Sequence, residues 1–206
     1  MLTPLALLVA AAAAVPCKAS GPLAVYVAAN PVKAADTIYT ARLCLTVPTR
    51  GARLASMSGR LTIDTAFAKL IDVARAPRTP FLANADSSGN VLVAGAAGSA
   101  VRGGTVLTVR VRLARPGVLP RVDFIVSELS GSDGKSLITH TTVSGLAARC
   151  VGTHAAVFEV LPPSASADPG EPLDLRISGC GFNAARNTVR FGDVTVNNIR
   201  STNSGT

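Results

Sequence analysis

Between Leu23 and Gly145 the chain repeats one pattern, in which apolar residues occupy alternate positions for a short stretch and then give way to glycine, proline, asparagine or aspartate. The stretches are LAVYVAA, IYTARLCLTVP, MSGRLTID, NVLVAGAA, TVLTVRVRLA, VDFIVSEL and LITHTTVSG. A period of two puts one face of a strand in a core and the other in water, and the residues between are those that turns select. The pattern predicts about seven to nine short strands here, the spacing of a sandwich or jelly roll. TAFAKLIDVA, Thr65 to Ala74, departs from it. Its apolar residues Phe67, Leu70, Ile71 and Ala74 fall at helical spacing, so it is read as a short helical turn or one more strand.

Val151 to His154 make a connector, after which AAVFEVLPP begins a second β unit whose first strand is ended by Pro162 and Pro163. Before both units lies MLTPLALLVAAAAAVPCKAS. Its apolar run, Leu5 to Val15, is too short to cross a bilayer but suits the core of an export signal, and small residues follow near Ala19. The expected organisation is therefore a signal peptide over residues 1–19, a first β domain over 24–150 and a second over 155–206. No Lys or Arg stands beside Met1, which departs from the usual signal. Cys17 invites acylation as a lipoprotein cysteine, although Pro16 sits where a small residue is expected before it.

Composition fits this picture. Hydrophobic residues make up 48% of the 206 but aromatics only 4%, without Trp. The apolar load is Ala, Val and Leu, which is too much for a disordered chain and suits short strands. Export permits disulfides. Cys44 lies in ARLCLTV and Cys150 closes VSGLAARC; a sandwich whose first and last strands are neighbours would allow these two to bridge, the other reading being two buried free thiols.

The formal charge is +8 and comes almost wholly from arginine. Arg110 and Arg112 alternate with Val109, Val111 and Leu113, so they share the outer face of one strand. That face is read either as a solvated surface that discourages edge pairing or as a partner face toward acidic glycans or an anionic envelope.

Two resemblances follow from longer segments. ASMSGRLTIDTAFAKLIDV, FLANADSSGNVLVAGAA, GGTVLTVRVRL, SELSGSDGKSLI and TTVSG together resemble a cohesin domain. The resemblance implies a jelly-roll sandwich of nine strands that holds a partner, a dockerin module in cellulosomes and other partners elsewhere. VFEVLPPSASADPGEPLDLRISGCGF and NTVRFGDVTV resemble an IPT/TIG domain, an immunoglobulin-like sandwich that acts as a spacer or protein-contact unit. Cys180 departs from the family's small polar residue. The segment is also shorter than the roughly 80–100 residues of a full seven-strand sandwich, so the domain is expected to be incomplete at its C-terminal end. In ISGCGFNAARNTVRFGDVTV, Gly179 and Gly181 are expected to turn a corner, with Phe182 and Phe191 in the core.

Candidate chemistry is sparse. Ser144, His140 and Asp123 lack the Gly-x-Ser-x-Gly elbow of a hydrolase, and the histidines and cysteines lack zinc-ligand spacing. NADSSGN, Asn84 to Asn90, spaces its oxygens like a calcium loop but has Gly95 at the twelfth position and Asp86 as lone carboxylate, so a turn is expected. The same reading applies to SGSDGKS around Asp133. Two tyrosines, Tyr26 and Tyr39, are too few for an aromatic sugar platform. Export argues against nucleic acid as a partner. The whole reads as an all-β, non-catalytic exported module, extracellular or at the cell surface, without cofactor or metal. Its partner is a protein of dockerin type or an extracellular polysaccharide, with membrane attachment only through an acylated Cys17. Alternatives are a carbohydrate-binding module of a polysaccharide-degrading system and an accessory region of a larger exported enzyme.

Overall fold

The structure, a computed structural model, describes residues 16–50, 53–98, 101–163 and 174–202, and the side chain of Phe191 lies outside that description. It is all-β; among the described residues the one helical piece is a 3-10 turn, Ile138–His140.

Two sheets face each other. The first joins β1 (Ala24–Ala29), β2 (Ile38–Thr46), β4 (Ala68–Arg75), β7 (Gly104–Leu113) and β10 (Thr142–Ser144) in the order β10-β1-β2-β7-β4. The second joins β3 (Leu54–Ile63), β5 (Leu82–Ala85), β6 (Val91–Ala96) and β9 (Val122–Gly131) in the order β5-β6-β3-β9. Neighbours are antiparallel except β1 and β10. The core between the sheets comes from alternate residues: Tyr39, Ala41 and Leu43 of β2, Val109, Val111 and Leu113 of β7, Met57, Leu61 and Ile63 of β3, and Val91 and Val93 of β6 are all buried. Burial of these largely apolar side chains is the main term holding the sheets together.

Thr65–Ala74 is a strand preceded by a turn. Asp64 accepts the Ala66 N–H at 3.0 Å, and β4 then pairs with β7. The register shifts between Leu70 and Asp72, which leaves Ile71 exposed while Leu70 and Val73 pack on the core. This bulge breaks the period of two, and that is why the segment looks helical in sequence.

The segment before β1 belongs to the sandwich. Cys17 is bonded to Cys44 with Cα atoms 5.5 Å apart, the Lys18 N–H donates to Tyr26 Oη at 2.8 Å, and Ser20 bridges Val47. A leader boundary at residue 19 would remove a half-cystine and this strap. Acylation of Cys17 is corrected, because its sulfur is already bonded. The apolar run itself, Leu5 to Val15, lies outside the described residues.

The expected Cys44–Cys150 bridge is likewise corrected. The sheet's last strand, β10, ends at Ser144, and the chain then crosses so that β11 (Arg149–Cys150) pairs with β8 (Val118–Leu119). Cys150 thus leaves the sheet that holds Cys44 and bonds Cys180, with Cα atoms 5.8 Å apart. A disulfide needs its Cα atoms within about 7 Å, so strand neighbours decide the pairing.

Beyond the connector are two ladders: β12 (Ala156–Leu161) with β13 (Arg176–Cys180), and β14 (Asn187–Phe191) with β15 (Val194–Ile199). Val118, Ala156 and Cys180 form a small buried cluster covered by Phe67, Cys150 and Phe158, which seats β12 on the first sandwich. Gly181 has φ +71° and a Cβ on Gly179 would strike the Ala156 carbonyl, so these glycines let β13 close on β12 and turn away. Phe182 is half-buried rather than in a core. Val157, Leu161, Val194 and Val196 are exposed.

Candidate protein-binding face

The outer face of the second sheet carries apolar side chains where alternation places polar ones. Along one row Asn84 of β5, Leu92 of β6, Arg60 of β3 and Ile125 of β9 stand side by side, and along the next Leu82 is opposite Ala94, which is opposite Ser58. Leu82, Leu92 and Ile125 are 65%, 45% and 57% exposed. Arg60 stands between Leu92 and Ile125 in the register. Glu128 marks the rim, held by the Ser56 and Ser130 hydroxyls at 3.1 and 3.0 Å. Exposed apolar side chains beside a polar, hydrogen-bonded rim are features of a protein interface.

This face was legible in part. Val91-Leu92-Val93 and Phe124-Ile125-Val126 are continuous apolar runs inside strands that otherwise alternate, and such runs give a strand two apolar faces.

Arg110 and Arg112 point outward from the first sheet, on the opposite side of the molecule. Arg110 is paired in register with Thr40 and Asp72, and Arg112 with Ile38 and Lys69. Neither arginine forms an ion pair among the described residues. Arg42, one pair further along β2, donates from Nη2 to Asn30 Oδ1 at 2.5 Å, and its buried Nε has no partner among the described residues. The Cys17 strap covers the Cys44 end of this face, so the arginine end is the open one.

The other candidates resolve as architecture. Asp86 accepts the N–H groups of Ser88 and Asn90 at 2.9 Å and the Asn90 side-chain amide at 3.1 Å, which makes NADSSGN the β5–β6 turn. These bonds, the Asn90 side chain first, hold the Asp86 carboxyl below its ordinary range. Asp133 caps Lys135 N–H in the same way. Asp123 is engaged by Arg121, and no hydrogen bond joins any two of Ser144, His140 and Asp123.

Solved structures that it resembles include cohesin modules. One is a chain of a type I cohesin–dockerin complex from Clostridium thermocellum, at 12% identity over 61% of this chain and 97% of that one, with a TM-score of 0.46. Another is a type I cohesin from Pseudobacteroides cellulosolvens, at 15% identity over 71% and 98%, with a TM-score of 0.47. A third is a non-cellulosomal cohesin from Archaeoglobus fulgidus, at 13% identity over 61% and 88%, with a TM-score of 0.44. At these values they assign neither partner nor activity to the chain. No family model and no curated protein matches it.

Proposed function

We propose that the chain is a non-catalytic, exported binding module, with a protein partner seated on the outer face of β5-β6-β3-β9. The observation that carries this reading is the set Leu82, Leu92 and Ile125, three large apolar side chains exposed on one face of the sheet. Burying such a centre is what gives protein interfaces their hot spots. A dockerin-type module is the partner class that the sequence resemblance to cohesins implies. The two disulfides support an oxidising, extracellular setting. Residues 155–206 are read as the front of an IPT/TIG-type spacer, held to the first domain by Cys150–Cys180. Arg110 and Arg112 lie on the other sheet and serve as a steering surface rather than the interface centre.

The test is surface plasmon resonance of the oxidised chain against a panel of dockerin modules. Leu92→Asp and Ile125→Asp are each expected to weaken capture about tenfold or more, while Arg110→Glu leaves the dissociation rate unchanged. Absence of any dockerin binding, or binding indifferent to both aspartates, overturns the reading.

A further inference from the structure

The connection from β4 to β5, residues Ala76 to Phe81, faces the segment Val101 to Val106 where the chain enters β7. Between them is an open cleft of about 670 Å³, lined by Arg78, Thr79, Arg102, Gly104 and Thr105 among others and by no carboxylate. That volume lies within the roughly 300–1,000 Å³ of small-ligand sites. Neither arginine forms an ion pair among the described residues.

Arg78 sits on an unusual backbone. Pro77 and Arg78 are the central residues of a tight turn closed by the Thr79 N–H on the Ala76 carbonyl at 3.4 Å, and Arg78 has φ +61°. Positive φ at that turn position ordinarily selects glycine or asparagine. Here a long cation occupies it and lines the cleft, and such backbone outliers gather at binding sites.

The opposite wall is braced by the N-terminal strap. A Cβ on Gly103 would strike the Ala19 carbonyl, and Thr105 Oγ1 donates to Cys17 Sγ at 3.3 Å, so the Cys17–Cys44 bond fixes the wall that presents Arg102. Phe81 is only 2% exposed, so the cleft offers no aromatic face on which a nucleobase would stack. What remains is a lining that includes two arginines, two threonines and backbone groups, a surface suited to carboxylate or sulfate oxygens on a polar ligand.

We propose that this cleft binds an acidic oligosaccharide, with Arg78 and Arg102 clamping its carboxylate or sulfate groups. The site is separate from the protein-binding face and stands or falls without it. The ligand enters along the cleft with its anionic groups toward the two guanidinium forks, and Thr79 supplies a hydroxyl contact.

Calorimetric titration of the oxidised full chain tests this at low and at physiological salt. The probes are tetragalacturonate, a heparin tetrasaccharide, neutral cellotetraose and an oligodeoxynucleotide of matched charge. The first two distinguish carboxylate from sulfate, and at least one is expected to bind while cellotetraose does not. Arg78→Gly is the decisive variant: glycine adopts positive φ freely, so the melting temperature holds or rises while affinity falls about tenfold or more. Arg102→Gln is expected to lose affinity similarly, and Arg110→Glu, outside the cleft, to keep it. The proposal is overturned if neither acidic probe binds, if cellotetraose binds as well, if the oligodeoxynucleotide binds with equal affinity, if Arg78→Gly binds normally, or if Arg110→Glu loses as much.

Discussion

Cys17 and Cys44 are joined across the outer face of a central strand, so a segment that reads as the tail of a leader is covalently part of the sandwich. Peptide mapping without reduction is expected to recover the pairs Cys17–Cys44 and Cys150–Cys180 and no Cys44–Cys150 peptide. The first residue of the protein isolated from its own cells, read by mass spectrometry, is expected at or before Cys17. Replacing Cys17 and Cys44 together by alanine opens a cross-link that spans 27 residues, which costs about 3–4 kcal/mol by loop entropy. Denaturant unfolding of the double variant measures it.

Phe67 and Phe158 meet edge to face, with ring centroids 5.2 Å apart. Because this pair and the neighbouring disulfide tie β12 to the first sandwich, Phe158→Ala is expected to loosen the second unit by about 2 kcal/mol. Hydrogen exchange should then rise in residues 156–161 and 176–180, with β2 and β7 unchanged.

Core and face leucines separate by their response to truncation. Leu61, fully buried between the sheets, is expected to cost about 2–5 kcal/mol as alanine. Leu92→Ala, on the exposed face, should stay within about 0.5 kcal/mol. Urea midpoints compare the two directly.

Burial pushes the Tyr39 hydroxyl up to about 12, with Arg149 opposing the rise. The unfolded chain releases this proton near pH 10.0, so it binds fewer protons than the folded chain between the two values. Tyr39 therefore contributes stability that is fully present below about pH 10 and is lost as pH climbs toward about 12. Urea midpoints on either side of pH 10 should show a decline that Tyr39→Phe reduces, and ultraviolet titration should show one tyrosine ionising late.

The alternation in TVLTVRVRL placed Val109, Val111 and Leu113 inward and Arg110 and Arg112 outward, and the structure has them so, because β7 is paired on both sides and its pleat leaves no other arrangement. Thr65–Ala74 was ambiguous for a local reason: the bulge at Ile71 shifts the parity that distinguishes strand from helix. Leu92 and Ile125 carried a readable signal in their unbroken apolar runs, but that the two flank Arg60 on a shared surface follows only from the register of β6, β3 and β9.

By itself, then, the chain determined its strands, its turns and which residues of each strand are apolar, since period and turn chemistry act between near neighbours. Tertiary structure decided the partners of the four cysteines, the strap over Cys44, the apolar face and the cleft of Arg78 and Arg102. Each of these joins residues far apart in sequence. Their proximity depends on which strands lie side by side, and no local propensity encodes that.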